Sequence, residues 1–231
     1  MSVKRPLGLF VAGTDTGVGK TMSAVRIVEW LRRVGHRVAA YKPVATGCRR
    51  VAGEWVSDDA MALWEATGRI GTPDNVCPQC YAAPLAPYLA AEKERRTIDA
   101  AMLRDGIKCY KDQCDFLIVE GTGGLMSPLD RQTLNIDLAA EFGFPLVIVA
   151  QDRIGVIHQT LQACTVARVY SLPVVAIVLS ETSPPDLSSG QAVDPSLESN
   201  AGAVAEFTQK SVTRLPWRGD SFVPPLDWSA L

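Results

Sequence analysis

The chain carries almost no surplus of charge. Its 23 Lys and Arg stand against 25 Asp and Glu, a formal net charge of −2 over 231 residues. No cluster of Lys or Arg is long enough to neutralise a run of phosphates, which argues against nucleic acid as a partner. No apolar run reaches the roughly 18–20 residues that cross a bilayer, and Met1-Ser2-Val3-Lys4-Arg5-Pro6 passes into a strand pattern without a signal-peptide layout. The expectation is a cytoplasmic protein with no membrane partner. Histidine is scarce, His36 and His158 alone, and no Ser/His/Asp or Cys/His arrangement offers a nucleophilic site. Among the six cysteines only Cys77 and Cys80 form a C-x-x-C pair; Cys109 and Cys114 are spaced C-x4-C, and Cys48 and Cys164 stand apart. Reduced, partly buried thiols fit this usage better than a disulfide framework or a zinc knuckle of Cys77, Cys80, Cys109 and Cys114.

What is present is a core: 47% of the residues are hydrophobic, enough for one α/β domain over residues 1–231. Apolar runs at Leu7–Ala12, Val38–Tyr41, Phe116–Val119, Leu146–Ala150 and Val174–Leu179 read as strands. Helical patterns lie between most of them, at Lys20–Val34, from a Ser57 cap toward Gly68, from Thr97 to about Gln113, at Ile136–Phe142 and at Val156–Tyr170. Another follows at Glu198–Gln209. The alternation implies a mostly parallel sheet with helices on both faces. Arg69–Arg96 and Ser183–Pro195 read as surface loops that could wall a ligand site, and the tail, about 217–231, as irregular chain.

The richest segment is Gly13-Thr14-Asp15-Thr16-Gly17-Val18-Gly19-Lys20-Thr21, between the first strand and the first helix. Strand, glycine turn and helix N-terminus together make a phosphate cradle of the P-loop type. Its backbone N–H groups face the ligand, Lys20 reaches the terminal phosphates, and the Thr21 hydroxyl is placed for Mg2+. The first glycine comes one residue early, at Gly13, and Thr14 occupies the usual place. A dinucleotide fingerprint fails at Met22, where it needs glycine. The ligand is therefore read as a nucleoside triphosphate.

Three further features point to the same ligand. Lys42 follows the second strand, which is taken as central in the sheet, and can neutralise a transferring phosphate or a substrate carboxylate. Asp58 and Asp59 open a helix; the helix dipole alone accounts for acids there, and one facing a nucleotide would also meet Mg2+. Glu120 ends a run of four apolar residues and precedes Gly121-Thr122-Gly123-Gly124. An acid carried that far into a sheet calls for a cation, and the glycines let backbone approach phosphates.

The motifs from Gly13, Tyr41-Lys-Pro-Val-Ala-Thr-Gly47, Ser57-Asp-Asp-Ala60 and Val119-Glu-Gly-Thr-Gly-Gly124 together resemble the dethiobiotin synthetase family. The resemblance extends from about Leu7 to Trp217 and includes the shifted glycine. It implies an ATP- and Mg2+-dependent cyclo-ligase acting on 7,8-diaminopelargonic acid and CO2 through a carbamate and a phosphorylated carbamate. It also implies a homodimer with the substrate site near the interface. On that resemblance Thr16, Gly17, Val18, Gly19, Lys20, Thr21 and Met22 hold phosphates, with Gly121, Thr122 and Gly123 alongside. Thr21, Asp59 and Glu120 surround Mg2+, and Lys42 and Lys20 are catalytic. Thr14, Thr46 and His158 face substrate, and Ser180, Glu181, Pro216, Trp217 and Arg218 form the adenine side. The chain departs from the family pattern at Ser180 and His158, each often asparagine, and at Tyr88, commonly histidine. Outside this family, the cradle alone would also suit a divergent P-loop paralogue with another carboxylate or amine substrate, or a nucleotide-dependent switch protein.

Overall fold

The computed structural model describes residues 7–184 and 194–231. Met1–Pro6 and most of the Ser183–Pro195 segment lie outside the described residues. Ten strands are present among them: β1 Leu7–Gly13, β2 Val38–Tyr41, β3 Ala45–Thr46, β4 Arg49–Val51, β5 Glu54–Val56, β6 Cys80–Tyr81, β7 Phe116–Gly124, β8 Leu146–Gln151, β9 Val174–Ser180 and β10 Ser211–Leu215. The α-helices are α1 Lys20–Arg33, α2 Asp58–Ala66, α3 Pro73–Val76, α4 Pro87–Lys93, α5 Ala100–Asp105, α6 Asn135–Phe142, α7 Val156–Val169 and α8 Leu197–Thr208, with a 3-10 turn at Gly106–Tyr110.

Six strands form one sheet in the order β10-β9-β8-β1-β7-β2, every neighbouring pair parallel. Because side chains alternate along a strand, each strand feeds two cores. Phe10, Tyr41, Leu117, Val119 and Ile148 pack on the face covered by α4–α8. Leu9, Val11, Val38, Ile118 and Val149 pack on the face covered by α1–α3. The mostly parallel sheet covered on both faces, expected from the alternation of apolar runs, is the fold observed. Among the described residues no helix is long and apolar enough to cross a membrane.

The structure corrects five local expectations. First, β2 is an edge strand, beside β7, so Lys42 leaves the sheet at its margin and not at its centre. Second, β10 completes the opposite edge although Ser211, Thr213 and Arg214 hide its strand character; only Val212 and Leu215 are apolar there. Third, Arg69–Arg96 is not a surface loop. It contains α3, β6 and α4, buries Val76, Tyr81 and Ala90, and pairs β6 with β3. Fourth, the helix expected from Thr97 begins at Ala100, where Asp99 accepts a hydrogen bond from Met102 N, and tightens to 3-10 at Gly106. A Cβ on Gly106 would collide with the Tyr41 ring, which explains why the chain is small there. Fifth, Cys48 does not stand apart but adjoins Cys80, whose Sγ is 3.8 Å from that of Cys77. All six thiols are free, and among the described residues no group of three or more His, Cys, Asp or Glu side chains is arranged to hold a metal.

The tail after β10 is irregular chain that packs on the α1 face of the sheet. Trp228, 0% exposed, lies with its ring 4.8 Å from that of Phe222.

Candidate active site

β1 is central and ends in the cradle, so the sheet aims the turn at the edge where the strand carboxyl ends meet. The shifted glycine has a local cause. A Cβ at Gly13 would lie 2.6 Å from Asp15 O and 2.8 Å from Lys20 Nζ, because Lys20 folds back over the loop and donates to Asp15 O at 2.8 Å. Gly19 caps α1 with φ +91° and no side-chain hydrogen bond, and no acid occupies the first turn of α1. The first N–H groups of a 14-residue helix therefore face an anion site without an internal competitor.

β7 carries Glu120 to the same place. Glu120 pairs in register with Val11 and is 0% exposed. Its Oε1 accepts from Lys42 Nζ at 2.6 Å and from Thr21 Oγ1 at 2.8 Å, while Oε2 is buried and has no hydrogen-bond partner. Lys42, 4% exposed, is held by its backbone N–H donating to Val76 O at 2.7 Å, and its Nζ also lies 3.0 Å from Asp59 Oδ2. Asp59 enters from the first turn of α2, which Ser57 caps through Ala60 N. The neighbouring Asp58 turns outward and pairs with exposed Arg49 at 2.6 Å. The helix dipole serves both acids, but only Asp59 reaches the cleft.

The electrostatics follow from this crowding. Burial of the Lys20 ammonium pulls its pKa down to about 8, with Glu120 opposing. Burial works against the Lys42 ammonium too, but Glu120 and Asp59 outweigh it and hold Lys42 above the ordinary lysine value. Burial would raise Asp59, yet Lys42 keeps its carboxyl below the ordinary range. Lys42, Asp59 and Glu120 thus form a charged triad at the floor of the site.

Above it opens a cleft of about 590 Å³. Thr16, Gly17, Gly19, Lys20, Thr21 and Met22 line it from the cradle, together with Lys42, Thr46, Asp59, Glu120, Thr122 and Gly123. Val18 is adjacent but buries its side chain in the core beneath the cradle. Gly121 turns toward Asn135, not toward the cleft. Thr14 is hydrogen-bonded through its N–H to Val149 O, and its hydroxyl is buried without a partner. Ser180, 2% exposed, packs directly beneath Gly19. Glu181 accepts from Trp217 N at 3.0 Å, the Arg218 guanidinium lies over the Trp217 ring, and Arg26 of α1 donates to Gly219 O. Ser180, Glu181, Trp217 and Arg218 are therefore gathered at the β9 and β10 ends beside α1, with Pro216 joining the strand to them. His158 is exposed on α7 and is absent from the cleft lining; Tyr88 faces Arg131.

One lining element carries no motif, while a second falls inside the Arg69–Arg96 segment expected to wall the site. The glycine-rich stretch expected as a turn continues β7 to Gly124; Ser127 and Pro128 follow it, and the Ser127 hydroxyl accepts from Gly124 N at 2.9 Å. A serine three residues after a glycine is the only local sign. Pro84, Leu85, Ala86 and Pro87 give the cleft an apolar wall that begins beside Thr46 and Gly47.

With this geometry established, known proteins give it context. A family model described as an AAA domain matches residues 7–221. The chain is 41% identical over 182 residues to an ATP-dependent dethiobiotin synthetase of Rhodopirellula baltica, covering 74% of this chain and 71% of that protein. It is 37% identical to the protein of the same name from Anaeromyxobacter dehalogenans strain 2CP-C, over 92% of this chain and 91% of the relative. Among solved structures it is similar to the cell division protein FtsY of Thermotoga maritima, with TM-score 0.54, 15% identity, and coverage of 100% of this chain and 70% of the other. It also resembles chloroplast FtsY from Physcomitrella patens, TM-score 0.52 and 16% identity, covering 98% of this chain and spanning 64% of that one. At such identity these two likenesses concern the fold alone.

Proposed function

The chain belongs to the ATP-dependent dethiobiotin synthetase family, and from that premise we propose that it closes the ureido ring of dethiobiotin from 7,8-diaminopelargonic acid, CO2 and ATP, in the cytoplasm. One substrate amine takes up CO2 as a carbamate and releases a proton. The γ-phosphoryl group of ATP passes to a carbamate oxygen, leaving ADP. The second amine attacks the carbamate carbon, and phosphate departs as the ring closes. The substrate supplies both nucleophiles, so the protein has to position reactants and stabilise charge.

The observation that carries this reading is the convergence of Lys20, Thr21, Lys42, Asp59 and Glu120, drawn from four separate elements, on one cleft. In it the N–H groups of α1 and Lys20 bind the phosphates, and Lys42 balances the carbamate and the phosphoryl group in transit. Thr21, Asp59 and Glu120 would hold Mg2+; the buried, partnerless Oε2 of Glu120 suits a cation. Bound there, the ion supplies charge neutralisation to the phosphate oxygens. Thr46 and the Pro84–Pro87 wall suit a substrate with polar ends and an alkyl chain. Glu181, Pro216, Trp217 and Arg218 border the nucleotide's base, while Ser180 supports the cradle beneath Gly19. Because His158 is exposed on α7 and Ile154, 75% exposed, lies in the turn just before that helix, a second copy of the chain would have to bring His158 to a substrate carboxylate, which supports a homodimer.

Purified protein incubated with ATP, Mg2+ and bicarbonate should release phosphate only when 7,8-diaminopelargonic acid is present, with dethiobiotin appearing in equal amount by mass spectrometry. Nucleotide binding without that product would replace this reading with a P-loop paralogue acting on another amine or carboxylate.

A further inference from the structure

The triad at the cleft floor has one cation and two carboxylates, and the carboxylates are those assigned above to the metal. Lys42 Nζ stands 2.6 Å from Glu120 Oε1 and 3.0 Å from Asp59 Oδ2, and Thr21 Oγ1 donates to the same Glu120 oxygen at 2.8 Å. The ammonium therefore touches both acids of that set. Leaving two such acids with no cation would be costly, since one is fully buried. Lys42 removes that cost in the protein alone.

A divalent ion changes the balance. It would share Glu120 and Asp59 with an ammonium of like charge, in a setting where repulsion over a few ångströms is strong. The lysine stem is flexible and the cleft beside it is open, lined by Thr46 and Ala45, so the ammonium has somewhere to go. Building on the metal-nucleotide reading, we propose that Lys42 is an internal cation that holds the metal's carboxylates in the free enzyme and is displaced when the metal nucleotide binds. Loading is thereby ordered. Until Glu120 and Asp59 have another cation, Lys42 is committed to them and does not serve the carbamate; afterwards it lacks a counterion, and the anionic substrate supplies one. The Lys42–Glu120 pair is thus a latch that couples nucleotide loading to readiness for the second substrate.

The test is direct metal binding. Mn2+ affinity would be measured by electron paramagnetic resonance, in the presence of ADP, for the wild type and for Lys42→Gln and Lys42→Met. Gln keeps a hydrogen-bonding group against Glu120, so one folded variant remains if Met is not tolerated. Both variants should bind Mn2+ roughly tenfold or more tightly than wild type, because the competing cation is gone. In the wild type, the 15Nζ resonance of Lys42, assigned by its loss in Lys42→Gln, should stay in place with ADP in EDTA and move with Mg2+ and ADP together. Equal or weaker Mn2+ affinity in the variants, or a Lys42 resonance indifferent to the metal, overturns the latch while leaving the metal site intact. Absence of saturable Mn2+ binding in all the proteins overturns the metal reading and the latch with it.

Discussion

Gly19 and Ser180 are in direct contact at the carboxyl ends of the strands: a Cβ on Gly19 would overlap Ser180 Oγ and lie 2.9 Å from Ser180 Cβ. The end of β9 thus supports the phosphate cradle from below, and Ser180 acts as packing for the turn. Gly19→Ala combines this overlap with a φ of +91° that L residues rarely adopt. Strain of this kind costs about 1–3 kcal/mol. The expected result is loss of nucleotide binding by calorimetry together with a lower unfolding temperature. Adding Ser180→Ala should not restore it, because the Cβ contact and the backbone strain both persist.

Lys42→Ala should abolish dethiobiotin formation and leave binding of Mg2+·ADP at least as strong as in wild type. Lys42 is assigned to the reacting carbamate and phosphoryl group, whereas α1 and Lys20 hold the nucleotide. Parallel turnover and calorimetric titration check this; unchanged turnover would remove Lys42 from the mechanism.

Glu120→Gln keeps the shape of the side chain and removes the charge that holds Lys42. Breaking one partner of a buried pair typically costs about 3–5 kcal/mol, and the remaining pairing to Asp59 places the outcome at the lower end. Chemical denaturation measures this loss. Nucleotide affinity in the variant should no longer respond to Mg2+, which a fluorescent nucleotide analogue would report.

Lys20, with a pKa near 8 in the free protein, should couple nucleotide binding to protons. A bound polyphosphate favours the charged ammonium, so binding near pH 8 takes up a fraction of a proton, and affinity falls as pH rises above that value. The fall is limited to about tenfold per pH unit for one group. Stability runs the other way: the unfolded chain binds more protons than the folded one between about 8 and the ordinary lysine pKa, so this residue's contribution to stability improves as pH rises through that window. Calorimetry at pH 8 in buffers of different ionisation enthalpy would detect the uptake. An observed enthalpy independent of buffer would refute it.

Trp228→Ala should show that the tail belongs to the same cooperative domain. Truncating a fully buried aromatic costs about 3–5 kcal/mol, and for a chain of this size each kcal/mol lowers the unfolding temperature by roughly 2–4 °C. A single transition shifted downward is expected. A separate low-temperature step, or no shift, would make the tail an appendage.

Much of the fold was legible because buried parallel strands are apolar on both faces, and the runs at Leu7, Phe116, Leu146 and Val174 say so without help from the rest of the chain. β10 escaped for the opposite reason. At the sheet edge its alternate residues meet polar partners, as when Thr213 donates to Pro224 O at 2.6 Å, and the apolar signal drops out. Arg69–Arg96 looked like loop because its elements are only a few residues long and proline-rich; their burial depends on β3 pairing with β6, which no local pattern reports.

The sequence by itself determined the chemistry of the anion site. A strand, a glycine turn, Gly-Lys-Thr and a helix make a phosphate cradle wherever they occur in that order, since the N–H groups and the dipole are properties of the backbone. Gly13 in place of Thr14 likewise answers to Lys20, seven residues away. Tertiary structure alone decided which charges meet. Asp58 and Asp59 are equivalent to the helix dipole, and only the placement of α2 against β2 gives Asp59 to Lys42 and Asp58 to Arg49. Lys42 and Glu120 are separated by 78 positions and joined by 2.6 Å because β2 and β7 are neighbours at the sheet edge. Charge interactions depend on distance and burial, and both are set by how strands pair, not by their order in the chain.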